Sequence, residues 1–389
     1  MAGAPNKQEA GVVGGPRLGS KRLLVLLVLT LSAIAGLYLL AGSVEGFSHE
    51  LKRLRNGDPA WLAAGCALEL LSLLGYALLF WSVVARDLPH VGFKASLQIP
   101  LAGIAALRLL ATGGAGGFAV TAWALRQAGL SRRAVGTRMV AVLVVQYAVY
   151  LLAVALVGYG LWAGAFAGGG TFALTLLPAL CATGAIAAVV AFSLLAAPTG
   201  ELPAARLRRY VTELHLWVHG GTRAALQALG VGGSGRSRLF APVGAVAYWG
   251  FDLSVLYAGF RAFGGHPTVA VVVMVYFLGT LGSLLPLPGG IGGVEGGMIG
   301  VAIGFGLSPA RAILAVIVYR LISFWLPTVP GVVGYFGLRR TVRGWKEAVR
   351  RRGSRLGERA AGWPAGEELG DGGIEPQPDR AGAVDDQGA

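Results

Sequence analysis

Long apolar stretches separated by short polar segments make up most of this chain. A helix needs about 20 apolar residues to cross a bilayer. The sixth stretch in the list below contains Pro327 and Pro330, which we expect to break the helix because proline lacks a backbone donor. The pattern predicts an all-α polytopic membrane protein with about six full spans. These are Arg22 to Ala41, Trp61 to Ala85, Thr137 to Trp162, Phe172 to Ala197, Leu239 to Phe263 and Arg311 to Leu338.

Two further apolar regions are interrupted by glycine. Residues 95–126 contain TGGAGG at 112–117, and residues 268–306 contain PLPGGIGG at 286–293. The apolar arms on either side of the glycines are too short to span a bilayer. Each region therefore predicts a re-entrant hairpin that enters and leaves on one side, which gives roughly eight transmembrane elements in all.

The two glycine-broken regions also resemble each other. GGAGG at 113–117 matches GGIGG at 289–293, and Gly-Leu-Ser follows each run, with one residue inserted in the second. Chance is an alternative explanation in a chain with 62 glycines. We nevertheless predict an inverted repeat with units at about 61–162 and 239–338. Transporters of this construction bind their substrate between the repeats, near the bilayer midplane.

Charge supports this arrangement. The chain is 55% hydrophobic and 13% charged, whereas soluble domains carry about 25% charged residues. The net charge is +14, and most basic loops fall on one side of the membrane only when both glycine-broken regions are hairpins. Cytoplasmic loops of membrane proteins are rich in Arg and Lys. We therefore expect a plasma-membrane protein with both termini in the cytoplasm. Basic loops beside spans suit anionic lipids, and nucleic acid is not an expected partner.

These expectations divide the chain into a membrane domain and polar segments. Residues 1–21 are expected to be a cytoplasmic tail, and 22–340 the transmembrane domain. Within that domain, 198–238 is expected to be a basic cytoplasmic loop. Residues 341–389 are basic and then acidic, and we expect a disordered cytoplasmic tail without a catalytic domain.

Two charged residues in the second half are candidates for a binding site. Glu295 follows the second glycine run at the predicted start of a half-helix. It is interpreted either as a local cap or as a cavity carboxylate for a cation or a proton. Arg320 lies within an apolar run, where an unpaired cation is costly, and Glu295 is its first candidate partner. The pair is either structural or leaves the guanidinium able to hold a phosphate.

Further candidates lie around the glycine runs and in the preceding spans. Backbone breaks persist in a membrane only where protein or a wet cavity covers them, so we expect the glycine amides to line a cavity. Glu69 and Asp252 are ionisable residues within spans, with either a proton-coupling role or structural pairing to Arg108 or Arg261. The remaining substrate-binding candidates are Arg108, Gly113, Gly114, Gly289, Gly290 and Gly292.

Motifs for chemistry are absent from the sequence. It contains no Ser/His/Asp set, zinc-ligand spacing or phosphate-binding GxxxxGK[ST] loop. We therefore expect no enzyme activity, cofactor or metal. An embedded enzyme that uses Glu295 as general acid or base is an alternative that these residues leave open.

The second hairpin resembles a known family. LPLPGGIGGVEGG at 285–297, GLSPARA at 306–312, Tyr319-Arg320 and FWLP at 324–327 are similar to the transmembrane region of lysylphosphatidylglycerol synthases, which also occurs alone in flippase-like membrane proteins. In the two-part synthases this region is held to move aminoacylated phospholipid between leaflets, and a separate soluble domain makes that lipid. The resemblance implies a membrane flippase-like role here, over about residues 22–340.

The sequence thus predicts an integral membrane translocator. Its expected substrate is an anionic or aminoacylated phospholipid, or a lipid-linked head group, that moves between leaflets. The alternative is a non-transporting membrane module that recruits a lipid-modifying or cell-envelope enzyme through the basic loop at 206–238. The sequence does not indicate an oligomeric state.

Overall fold

The computed structural model describes residues 55–85, 88, 91–109, 115–194, 216–226, 239–284 and 292–361. In this part of the chain the regular elements are helices, and no strand occurs. The chain divides into a compact unit up to Trp345 and a second unit from Lys346. The α-helices are α1 (Pro59–Phe80), α2 (Phe93–Leu109), α3 (Ala115–Gln127), α4 (Arg132–Trp162), α5 (Leu176–Leu194), α6 (216–226), α7 (Phe240–Ala262), α8 (Val269–Thr280), α9 (Gly293–Gly304), α10 (Pro309–Arg320) and α11 (Leu326–Ala361).

Five described helical segments are long and apolar enough to cross a membrane. They coincide with five of the six predicted stretches, and the sixth, Arg22 to Ala41, lies outside the described residues. The segments are Pro59–Ala85, Arg132–Trp162, Phe172–Phe192, Phe240–Ala262 and Pro309–Trp345.

The expected break at Pro327 and Pro330 is wrong. Helical structure continues from Pro309 through both prolines, with a π-helical turn at Leu321–Trp325 directly before them. The Thr328 hydroxyl donates to the Phe324 carbonyl at 2.5 Å. Side-chain donors and π turns accommodate proline in membrane helices by re-pairing backbone groups that it disturbs.

Helices α1 and α7 form an antiparallel pair. The Asp58 amide donates to the Ala262 carbonyl at one end, at 3.0 Å. At the other end, a Cβ on Gly244 would lie 2.5 Å from the Leu79 nitrogen, and one on Gly75 would lie 2.7 Å from the Tyr248 nitrogen. Glycine is required at both positions because the backbones touch.

Two pairs of shorter helices, α2 with α3 and α8 with α9, flank this central pair. A Cβ on Gly117 would lie 2.8 Å from the Gly103 carbonyl oxygen, and one on Gly297 would lie 2.7 Å from that of Gly279. Each 12-residue helix of the second pair is about 18 Å long, short of a bilayer core of about 30 Å. Close glycine contacts thus join the two helices of each pair, and the helices of the second pair are too short to cross a bilayer.

Buried apolar side chains form two cores, one around each short-helix pair. The first includes residues of α1, α2, α3, the beginning of α4 and α11. The second includes the end of α4 with α7, α8, α9 and α10. Gly331 and Gly334 of α11 lie against Leu101 of α2, so α11 joins the region of the second pair to the first.

Part of the predicted basic loop is packed onto α4. In α6, Trp217 covers Gly136, and Gly221 lies so close to α4 that an added Cβ would be 2.5 Å from Val140. Ala225 is fully buried in the first core. The rest of the loop at 198–238 lies outside the described residues.

The last helix continues past residue 340, where the tail was expected to begin. Residues 341–361 are helical, in keeping with their many Arg, Lys, Glu and Ala residues, which favour helix. Residues 362–389 lie outside the described part of the chain.

The α1–α7 contact predicts opposite effects for one substitution at two glycines of α7. Gly244→Ala should lower stability by about 1–3 kcal/mol, because its Cβ meets backbone that cannot rotate away. Gly250→Ala is the matched control: no atom lies within 4 Å of its added Cβ, and alanine is the better helix former by about 1 kcal/mol. Thermal unfolding in detergent measures both, and equal midpoints for the two variants would contradict the packing described here.

Candidate functional site

Glu295 caps the start of α9. Gly292 precedes the helix with φ 87°, a left-handed conformation that glycine adopts without strain. Its amide donates to Glu295 Oε2 at 2.8 Å, which satisfies a backbone donor that the helix leaves open. The carboxylate also lies at the positive end of the helix dipole. One of the two carboxylate oxygen atoms of Glu295, Oε2, therefore acts as the helix cap.

The other oxygen atom binds Arg320. Arg320 is the last residue of α10, and its Nε donates to Glu295 Oε1 at 2.7 Å. The guanidinium carbon lies 5.2 Å from the centre of the Phe324 ring. The side chains of Arg320 and Glu295 are 15% and 24% exposed. The expected pairing is confirmed, and one carboxylate serves both as the helix cap and as the counter-charge.

Partial exposure sets the chemistry that this pair can perform. A guanidinium inside an apolar span is stabilised by its carboxylate, since a lone cation there costs several kcal/mol or more. Neither side chain is sealed from its surroundings, so an anion that reaches the pair meets a planar cation suited to phosphate. Whether Arg320 binds a substrate remains a prediction.

Asp252 links three helices through tyrosine hydroxyls. The hydroxyl of Tyr276 on α8 donates to Asp252 Oδ2, and that of Tyr319 on α10 donates to the same atom at 3.3 Å. All three residues are buried. Tyr319 directly precedes Arg320 in the chain, so consecutive residues of α10 make the hydrogen bond to Asp252 and the ion pair with Glu295.

Neither tyrosine is among the candidates that the sequence indicates. The signal that could have found them is position, because each lies inside an apolar span. A buried tyrosine hydroxyl needs a hydrogen-bond partner, and few polar side chains occur in those spans.

Glu69 is the second carboxylate within a span. It is 3% exposed on α1. Ser72, one turn further, donates to the Tyr248 carbonyl at 2.9 Å. The face of α1 that carries Glu69 therefore packs towards the same tyrosine-rich region as Asp252.

Arg261 is not the partner of either carboxylate. Its Nη1 lies 2.5 Å from His266 Nδ1, and its guanidinium stacks over Trp61 at 5.2 Å. The location of Arg261 in the last turn of α7 explains this, because the side chain reaches the end of the helix pair. The pairing alternative with Arg261 is therefore wrong for Asp252 and Glu69.

The remaining candidates are not placed. The side chain of Arg108 and the residues Gly113, Gly114, Gly289 and Gly290 lie outside the described residues. Arg126, in the last turn of α3, donates to the carbonyl of Leu130, which follows that helix, at 2.8 Å. Within the ranges that the structure covers, no group of three or more His, Cys, Asp or Glu side chains is arranged to hold a metal.

Comparison with known proteins gives short matches to curated relatives. One UPF0104 membrane protein of Methanothermobacter thermautotrophicus is 40% identical over 92 residues, 23% of this chain and 27% of the relative. Another from that organism is 36% identical over 86 residues, 22% and 26%. A UPF0104 membrane protein of Pyrococcus horikoshii, PH1989, is 33% identical over 84 residues, 21% and 25%. Each match spans about a quarter of the relative's length.

A family model covers much more of the chain. The model of the lysylphosphatidylglycerol synthase TM region matches residues 23–331, which include every helix from α1 to α10 and the Glu295–Arg320 pair. It describes a transmembrane region, with no catalytic domain indicated. This chain is a multi-pass membrane protein and belongs to the family of the lysylphosphatidylglycerol synthase transmembrane region.

Proposed function

We propose that this protein moves phospholipid between the two leaflets of the plasma membrane, with both termini in the cytoplasm. The substrate is an anionic or aminoacylated phospholipid, or a lipid-linked head group of the same charge pattern. Its head group crosses through a polar cavity while the acyl chains stay in the bilayer. Membership in the lysylphosphatidylglycerol synthase membrane family supports a lipid-related role.

The transport path lies between two inverted repeats in this proposal. The units are about 61–162 and 239–338, and their first helices are α1 and α7. These two helices run antiparallel, as the equivalent helices of an inverted repeat do when they cross a membrane. The glycine-packed pairs α2–α3 and α8–α9 are the re-entrant hairpins, and their shortness supports this assignment.

The observation that carries the proposal is the ion pair at the start of α9. Arg320 and Glu295 are charged residues in apolar helices, partly exposed and adjacent to the second glycine run. Arg320 contacts the head-group phosphate, Glu295 contacts a cationic substituent such as a lysyl amine, and glycine amides near the hairpin tips complete the site. Arg108 acts with Gly113 and Gly114 at the first hairpin, and Gly289, Gly290 and Gly292 act at the second.

The proposal is tested by movement of labelled phospholipids in liposomes containing the purified protein. Arg320→Ala should slow the movement of anionic and lysyl-modified lipids roughly 10- to 100-fold, the effect of losing one hydrogen bond to a charged group. Arg343→Ala is the control, since Arg343 is exposed on α11. Absence of movement for every lipid with wild-type protein would instead favour the module that recruits a lipid-modifying or cell-envelope enzyme.

A double variant separates a substrate contact from a structural ion pair. Arg320→Met with Glu295→Gln removes both charges, and neutral replacements for buried pairs often preserve stability. The carbonyl oxygen of glutamine can still accept from Gly292. We expect a folded protein that transports no faster than Arg320→Ala, measured by lipid movement and by thermal unfolding. Recovery of wild-type transport in the double variant would show that the pair is only structural.

Proton coupling is the energy source that the carboxylates Glu69, Asp252 and Glu295 within the membrane domain support. A pH gradient across the liposome should accelerate lipid movement in wild-type protein, and Asp252→Asn should abolish that acceleration because an amide cannot carry the proton. Asp58→Asn is the matched control: Asp58 is exposed at the start of α1, and asparagine also caps helices. Identical rates with and without the gradient in wild-type protein would exclude coupling through any of the three.

A further inference from the structure

An apolar pocket opens beside the first hairpin, between α1, α2, α3 and α4. Its volume is about 110 Å³. Phe80 and Val142 are buried in its wall, and Leu107 and Phe118 stand at its edge with 42% and 49% of their surface exposed. In a membrane protein, exposed apolar side chains face lipid, so the pocket is continuous with the lipid-facing surface.

The pocket occupies the place in the first repeat that Asp252, Tyr276, Tyr319 and Arg320 occupy in the second. The glycine runs set a register of 176 residues up to the hairpins, as from Gly113 to Gly289, and of 177 after the inserted residue, as from Gly129 to Gly306. One close contact follows this register, because Gly103 packs on Thr121 as Gly279 packs on Gly297. In it, Asp252, Tyr276, Tyr319 and Arg320 correspond to Tyr76, Pro100, Val142 and Leu143, and all four of the latter line the pocket.

We propose that this pocket binds an acyl chain of a bilayer phospholipid. The inference rests on the inverted repeat of the proposed function and divides that site by chemistry. The second repeat supplies charge and hydroxyl groups for the head group, and the first supplies an apolar surface at the equivalent place for the chain.

The lining excludes a head group as the occupant. Leu143 of the lining stands where the second repeat has Arg320, and Ala119, next to the lining residue Phe118, stands where it has Glu295. The side-chain hydroxyls of Tyr76 and Thr121 are the polar groups that remain, too few to replace the water around a phosphate.

The size of the pocket and its opening favour a chain drawn from the surrounding bilayer. Apolar cavities of comparable size in proteins stay dry and take up small hydrocarbons. An empty cavity would forgo the dispersion contacts of its lining. A run of methylene groups entering between Leu107 and Phe118 restores those contacts without displacing any part of the described protein.

Photolabelling of the full-length protein in liposomes tests the proposal directly. The probes are two phosphatidylcholines, one with a diazirine near the end of an acyl chain and one with the diazirine on the head group. After illumination, the acyl-chain probe should label peptides containing Leu107, Phe118 and Met139, and the head-group probe should not. Label from the acyl-chain probe confined to the exposed helix α5, or equal labelling of the pocket by both probes, would overturn the proposal.

A filled pocket provides the matched comparison. Leu143→Trp places a large ring in the pocket and should lose the label there. Leu156→Trp makes the same change on the same helix at a residue with 68% exposure outside the pocket, and should keep the label. Leu143→Phe gives a milder filling should the tryptophan variant prove unstable in thermal unfolding. Unchanged labelling in a folded Leu143 variant would overturn the proposal.

Two further outcomes distinguish acyl-chain binding from coverage of the pocket by the chain itself and from the transport proposal. Crosslinking of Leu143→Cys to residues 22–41 of the same chain would show that the protein itself covers the pocket, and would overturn lipid occupancy. Specific labelling in a preparation that moves no lipid would support the acyl-chain pocket while removing the transport proposal, because labelling requires binding alone.

Discussion

Backbone contact at glycine is the interaction on which this structure depends. In a bilayer, an apolar side chain gains little by leaving lipid for protein, so helices associate through close packing and hydrogen bonds. Gly75 and Gly244 bring α1 and α7 together, and Gly279 and Gly297 do the same for α8 and α9. A Cβ on Gly259 of α7 would lie 2.8 Å from the Ala315 carbonyl oxygen of α10. Asp252 of α7 accepts from Tyr319 of α10 and also from Tyr276 of α8.

The same packing explains why charge survives inside the membrane domain. Glu295 is fixed by the first turn of α9, where Gly292 donates to it, and Arg320 is fixed by the last turn of α10. The Arg320 cation is therefore neutralised by Glu295, whose carboxylate the start of α9 already stabilises. This arrangement differs from the α1–α7 pair, where Arg261 stacks on Trp61 near the helix end and where α1 and α7 touch through backbone.

The sequence predicted what depends on local pattern. Apolar length was enough to predict helices at Trp61 to Ala85 and Leu239 to Phe263. The cost of an unpaired cation in an apolar run predicted a partner for Arg320, and Glu295 was the first candidate. The helix through Pro327 was missed because its continuity depends on a π turn and on the Thr328 hydroxyl. The packing of α6 was missed because nothing in the sequence around Gly136 indicates that Trp217 covers it.

Tyr276 and Tyr319 were missed for a different reason. An aromatic residue in an apolar run looks the same in sequence whether its hydroxyl faces lipid head groups or a buried acid. Only the packing of α7 against α8 and α10, which joins residues far apart in the chain, brings both hydroxyls to Asp252. The inverted repeat and the binding roles of the glycine runs remain predictions, since the glycines at the hairpin tips lie outside the described residues.

The double engagement of Glu295 has a kinetic consequence. Any phosphate that approaches Arg320 meets a guanidinium already occupied by a resident competitor, and that competitor cannot diffuse away because its helix cap holds it in place. Binding of an anion there competes with the Glu295 carboxylate, which stays beside the guanidinium and lowers the net gain in free energy. Shallow binding and fast release suit the lipid transport proposed above, because a site that binds tightly would trap its ligand midway.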